Sequence, residues 1–277
     1  MYHNIAISGG GASALVFVGC VKRIYERKDI FQLHNYVGSS SGSLICLFMI
    51  LEYTFTEIVC FLKKHLVDST ILEFSPTNVL GVLRNYGFSD GKKITEFIET
   101  ILLEKNISSD YTFIDLAKKT GRNLIVTVTN ISQQKVEYLS VDTYPDMKIT
   151  TALRMSTSIP ILFEPVKFYE DMYVDSLIYN NFPLDVFHKF DLNTFGINVV
   201  SEKQKITSIS SYISNLLHCI INNTIVKANS ENKHVCNILL KGTMVNFNII
   251  KFKFEVNQEA LDLYIETGYE QITSFLE

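Results

Sequence analysis

The sequence predicts an α/β fold: a mostly parallel central sheet flanked by helices in three layers, formed by residues 1–277 as one domain. Three observations predict it. Short β-rich runs alternate with helical patterns along the chain. No low-complexity linker, charge block or internal repeat divides it. With 277 residues, 47% of them hydrophobic and 19% charged, the chain has ample apolar material for a sizeable core and too much for disorder.

The elements follow in order. Asn4 to Ser8 is the first strand, and a glycine turn leads from it to an apolar helix from about Ala14 to Arg27. A second strand ends near Val37 and enters a Gly/Ser turn. The next helix starts near Gly42 and is apolar nearly all round, as a buried helix would be. Ile94, Phe97, Ile98, Ile101 and Leu102 recur at the helical interval, so Lys92 to Lys105 is an amphipathic helix. Asn123 to Asn130 and Lys135 to Ser140 form a hairpin turned by Ile131-Ser132-Gln133-Gln134. Asn193 to Val200 is a buried strand, and Ser201 to Asn232 has a polar, Asn-rich helical pattern. Ile250, Phe252, Phe254 and Val256 alternate as in a strand, and Leu261, Tyr264, Ile265, Gly268, Ile272 and Phe275 mark a terminal helix.

Composition excludes several function classes. Lys and Arg number 25 against 29 Asp and Glu, a net charge of −4, so there is no basic excess for nucleic acid or anionic lipid. Cys20, Cys46, Cys60, Cys219 and Cys236 are odd in number and widely spaced, which reads as buried thiols in a reducing compartment. No His/Cys/Asp cluster has metal-ligand spacing, so neither a metal nor a cofactor is expected. The N-terminus lacks the basic start of a signal peptide, and the longest apolar run, Leu44 to Leu51, is far shorter than the roughly 20 residues of a membrane span. A cytoplasmic location is the corresponding expectation.

Three segments can carry chemistry. Gly38-Ser39-Ser40-Ser41-Gly42 fits GxSxG between an apolar strand and an apolar helix, the setting of a nucleophile elbow centred on Ser40. The helix N-terminus behind it offers free N–H groups to a developing anion. The plainer reading is a Ser/Gly-rich turn without chemistry. Gly9-Gly10-Gly11 also lies between strand and helix. It could be a phosphate loop, although Ala14 stands where GxGxxG needs glycine and no Lys-Ser/Thr follows. It could be an oxyanion hole, with backbone N–H groups aimed at a substrate carbonyl, or simply a tight turn. Asp175, in Tyr173-Val174-Asp175-Ser176, could cap the turn after a short strand or serve as a base for Ser40.

Together these segments resemble the patatin-like phospholipase family. Ile7 to Ala12 with Val18 to Val21 is similar to the family's glycine-rich opening and first helix, and Gly38 to Gly42 to its nucleophile motif. Ala152 to Pro160, with Phe163 and Pro165, resembles its Ser-x-x-Ile-Pro segment. Tyr173 to Asp175 and Asn180 to Asp185 resemble its aspartate block and the Asn-x-Pro beyond it, and Glu266 to Tyr269 a common C-terminal helix. The resemblance implies a Ser40–Asp175 dyad without a catalytic histidine. It also implies an oxyanion hole from Gly9, Gly10 and Gly11 with Ser41, and an acyl-enzyme route to a free fatty acid. The partners implied are a phospholipid or related lipid ester, transient contact with a membrane surface and a protein activator.

Two positions depart from the family pattern. Ser13 and Ala14 replace a basic residue and a glycine, and Ser176-Leu177 replaces the glycine after the aspartate. These departures keep a second reading open, a catalytically silent scaffold that binds lipid or protein. A third, a Ser-His-Asp esterase, would draw its base from His188, His218 or His234, each following Asp175 in chain order. Asp171 and Asp185 read as turn or helix-cap residues.

Overall fold

The computed structural model describes residues 1–67, 79–187, 193–201, 205–207, 211–212, 215–216, 219–220, 234–240, 246–248 and 253–277. The strands are β1 (Tyr2–Ile7), β2 (Phe31–Ser39), β3 (Gly87–Ser89), β4 (Asn123–Asn130), β5 (Lys135–Leu139), β6 (Ile161–Phe163), β7 (Val166–Phe168), β8 (Asp171–Asp175), β9 (Thr194–Ser201), β10 (Val235–Leu240), β11 (Asn246–Asn248) and β12 (Lys253–Glu255). The α-helices are α1 (Val16–Glu26), α2 (Ser41–Ile50), α3 (Phe55–His65), α4 (Val79–Asn85), α5 (Lys92–Leu103), α6 (Phe113–Thr120), α7 (Ile149–Ser156) and α8 (Gln258–Leu276). As expected, the fold is mixed α/β, with a largely parallel central sheet flanked by helices.

The main sheet runs β10-β9-β1-β2-β4-β8-β7, with β5 also on β4. The five strands from β10 to β4 are mutually parallel, and β5, β7 and β8 add antiparallel pairs. Ile5, Ala6 and Ile7 are all fully buried, which explains why β1 is an apolar run without alternation. One face packs Ile5, Tyr36, Val126 and Ile197 into the large core with the helices. The opposite face packs Ala6, Val37 and Ile125 against Phe182 and Leu184.

Local chemistry sets the helix limits. Thr54 with Glu57, and Thr112 with Asp115, form capping boxes that start α3 and α6. Gly121, left-handed at φ 68°, ends α6. In α2, eight of ten residues are buried, so its uniformly apolar sequence reflects a helix enclosed on all sides. Where α1 crosses α8, a Cβ on Gly19 would strike the Ile265 carbonyl and one on Gly268 the Val16 carbonyl. Among the described residues no helix is long and apolar enough to cross a membrane.

Several expected limits shift. The first helix is a 3-10 turn over Gly11–Leu15 followed by α1. β2 continues to Ser39 because that serine still pairs with Thr127 of β4. The hairpin of β4 and β5 is present, with β5 ending one residue early at Leu139. All five cysteines are free, but Cys60 and Cys219 are exposed, which corrects the expectation that all are buried. Most of 201–232 lies outside the described residues, as do Ile250 and Phe252; Phe254 lies in β12, which pairs antiparallel with β11.

β4 brings the candidate site together. Its residues 123–127 pair with β2, and Val128–Asn130 pair with β8. β5 pairs with residues 126–130 and so takes the other edge of β4. β2 and β8 therefore share one edge, end to end. Ser39 stands opposite Thr127 and Asp175 opposite Val128, so the last residue of β8 lies just beyond the last residue of β2.

Candidate active site

Ser40 occupies the turn between β2 and α2 with φ 50° and ψ −128°, a conformation rare for residues other than glycine. The turn is tight because its flanking glycines admit backbone on both sides. A Cβ on Gly38 would strike the Ser43 backbone, and one on Gly42 the carbonyls of Ile7 and Ser8. Ser43 closes the turn by donating its N–H (3.0 Å) and its hydroxyl (2.5 Å) to the Ser40 carbonyl. The Ser40 N–H donates to Ser156 Oγ at 2.9 Å.

The Ser40 hydroxyl donates to Asp175 Oδ2 at 2.6 Å. Asp175 Oδ1 accepts the Leu177 N–H at 2.9 Å, and the Asp175 N–H donates to the Ser158 carbonyl at 2.9 Å. The carboxyl is wholly buried. Burial pushes its pKa up to about 7, against the opposing pull of the bonds from Ser40 and Leu177. A carboxylate in this position could take a proton near neutral pH, which an exposed aspartate at about 3.9 does poorly.

The glycine loop borders the same serine. A Cβ on Gly9 would come within 3.1 Å of Ser40 Cβ. The Gly9 N–H donates to the Asn181 carbonyl at 2.9 Å, and Asn181 Nδ2 returns a bond to the Gly9 carbonyl at 3.0 Å. Gly9 is therefore anchored to the loop after Asp175, and its N–H is already engaged. The Gly10 N–H donates to Ser41 Oγ at 3.2 Å. Gly11, at φ +53°, opens the 3-10 turn, and a Cβ there would meet open space. Ser41 is the first residue of α2, where a helix supplies no internal acceptor for its N–H.

Both departures from the family pattern are accommodated. The Ser13 N–H closes a turn on the Gly10 carbonyl at 3.0 Å, and Ala14 is buried in the core. Ser176 begins a 3-10 turn capped by Asp175 and takes no left-handed conformation. Its hydroxyl lies 2.5 Å from that of Ser39.

Among the described competing residues, Asp171, Asp185 and His234 are engaged in other hydrogen bonds. Asp171 accepts from Asn130 (2.9 Å) and Gln133 (3.2 Å) at the hairpin turn. Asp185 accepts from Tyr138 (2.9 Å) and Asn180 (2.7 Å). His234 Nδ1 pairs with the Tyr2 hydroxyl at 2.9 Å. His188 and His218 lie outside the described residues. The site also contains two side chains that motif reasoning did not single out, Ser156 and Asn181. Both fall inside segments of the resemblance, which was their only signal.

A family model described as patatin-like phospholipase matches residues 5–188. The probable lipid hydrolase 463L of Invertebrate iridescent virus 6 is 33% identical over 190 residues, 68% of this chain and 64% of that protein. The uncharacterized protein R571 of Acanthamoeba polyphaga mimivirus is 29% identical over 202 residues, 73% of this chain and 66% of that one. The chain thus spans less than two thirds of the length of either viral relative. In fold it is similar to VipD from Legionella pneumophila (TM-score 0.61, 16% identity, 99% of this chain and 66% of that one). It is also similar to ExoU of Pseudomonas aeruginosa in its complex with SpcU (TM-score 0.55, 15% identity, 99% of this chain and 51% of that one).

Proposed function

This chain belongs to the patatin-like phospholipase family, and on that premise we propose that it is a serine lipid acyl hydrolase of the phospholipase A type. The observation that carries this reading is the 2.6 Å bond from Ser40 Oγ to a buried carboxylate. Asp175 Oδ2 takes the hydroxyl proton as Ser40 Oγ attacks the acyl carbonyl carbon of a phospholipid or related lipid ester. Charge then develops on the carbonyl oxygen, where N–H groups of Gly10, Gly11 and Ser41 can meet it. The Ser41 hydroxyl now on Gly10 gives way to that oxygen. Collapse expels the alcohol, which takes the proton from Asp175 and leaves an acyl-Ser40 ester. Water, deprotonated by the same carboxylate, releases the fatty acid and restores the serine.

The lipid would be met at a membrane surface. With a net charge of −4, docking would rely on apolar loops, a local basic patch or a protein activator rather than on overall attraction to an anionic bilayer.

The test is fatty-acid release from mixed phospholipid vesicles by the native protein, Ser40→Ala and Asp175→Asn. Both variants should lose activity; equal release by all three would overturn the dyad. Fluorophosphonate labelling that vanishes in Ser40→Ala separates an enzyme from a lipid-binding scaffold.

A further inference from the structure

Ser40 is held in a conformation that its own side chain disfavours, so a surrounding group must hold it there. The β2 ladder cannot, because its last pair on β4 is Ser39 with Thr127. The Ser156 hydroxyl stands at that break. It accepts the Ser40 N–H at 2.9 Å and donates to the Thr127 carbonyl at 2.7 Å. A side chain is thus inserted between an amide and a carbonyl that lie where the strand ladder stops. The insertion lets β2 leave the sheet without orphaning a buried N–H.

The same turn reaches Asp175. Two residues after Ser156, the Ser158 carbonyl accepts the Asp175 N–H at 2.9 Å. The turn is pinned in place by Arg154, a buried guanidinium that donates to Ser158 Oγ and to the carbonyls of Asp90 (3.0 Å) and Glu164 (3.3 Å). Nucleophile and base are therefore held from one short stretch at the end of α7.

We propose that Ser156 is a positioning residue that sets the attack geometry of Ser40. The proposal rests on the Ser40–Asp175 reading. Ser156 touches no substrate; it acts through the backbone of the nucleophile. Without its hydroxyl the Ser40 peptide can relax toward an ordinary conformation and carry Oγ off line. A misplacement of this kind costs turnover more than binding, on the order of 10- to 100-fold.

The experiment measures kcat and KM on a short-chain p-nitrophenyl ester, with the second-order rate of fluorophosphonate labelling, for Ser156→Ala. The expected result is that kcat and labelling both fall about 10- to 100-fold while KM stays within about twofold. Wild-type kcat and labelling would overturn the proposal. Tyr53→Phe serves as a stability control, since it removes a buried hydroxyl bond to the Ile101 carbonyl far from Ser40 and should leave kcat unchanged. Should Ser156→Ala not fold, Ser156→Cys, close in shape but a weak acceptor, decides instead: lower kcat at unchanged KM supports the proposal and wild-type kcat overturns it. Ser40→Ala separates the two readings. Labelling that survives in Ser40→Ala defeats the dyad itself, whereas loss there with normal Ser156→Ala defeats only the positioning role.

Discussion

The two oxygens of Asp175 have different partners: Oδ2 accepts from Ser40 Oγ at 2.6 Å and Oδ1 from the Leu177 N–H at 2.9 Å. One bond orients the carboxylate and the other aims it at the serine. In its proposed role Asp175 must be ionised to accept a proton, and burial raises its pKa to about 7. We therefore expect kcat/KM on a soluble ester to rise about tenfold per pH unit below pH 7 and to level above it. The pH–rate profile checks this, and a profile flat down to pH 5 would count against Asp175 as the base.

The same burial makes a stability prediction. Because the folded pKa is raised, the native state holds a proton that the unfolded chain has lost between about pH 3.9 and the folded value. Stability from this site is full at low pH and falls as pH rises through about 7. Asparagine at this position keeps both bonds without the charge, since Oδ1 can accept from Leu177 and Nδ2 can donate to Ser40. Asp175→Asn should then be inactive yet more stable than the native protein at pH 8, by an amount on the order of 4 kcal/mol, with the gap closing toward pH 4. Urea midpoints across that range measure it; a gap independent of pH would show that desolvated charge is not the cause.

These relationships were unevenly legible in the sequence. The Ser40 turn could be read because its requirements are local: an apolar strand, glycines at 38 and 42, and an apolar helix all lie within one short stretch. The β4–β5 hairpin was readable for the same reason. Asp175 was ambiguous between turn cap and base, and the structure shows why one residue could suggest both. The cap uses Oδ1 and the contact with Ser40 uses Oδ2. What escaped was non-local. That β8 takes the edge of β4 vacated by β2 depends on pairings among segments far apart in the chain. Ser156 and Asn181 carry no signature of their own, because a lone serine and an asparagine two residues before a proline have many ordinary uses. Ser201 to Asn232 lies mostly outside the described residues, so its helical reading stands where it began.

Ser39 and Ser176 give a test of how the departure after Asp175 is absorbed. Both are fully buried, and their hydroxyls lie 2.5 Å apart. Removing either one leaves the other without that partner, which costs about 1–3 kcal/mol. Removing both takes away the need as well as the bond. Ser39→Ala and Ser176→Ala should each lower stability, and the double variant should lose less than the sum, with a coupling of about 1 kcal/mol by urea denaturation. Strict additivity would mean that the two hydroxyls do not depend on each other.

His234 offers the sharpest separation of the dyad from a Ser-His-Asp arrangement. It directly precedes β10 and pairs with Tyr2 at the start of β1, the end of the sheet where the parallel strands begin. Ser40 lies where β2 finishes. The registers put His234 level with Ile5 and Tyr36, four residues short of Ser40, and three strand spacings of about 4.8 Å, roughly 14 Å in all, separate β10 from β2. Hydrogen bonding needs about 3 Å, and no side-chain rotation bridges that difference. His234→Gln should therefore leave kcat and KM within about twofold of native while costing some stability through the lost Tyr2 bond. His188→Gln and His218→Gln complete the set, and the dyad expects near-native turnover from both. Turnover abolished by any of the three, with the fold intact by circular dichroism, would replace the Ser40–Asp175 pair with a histidine-based mechanism.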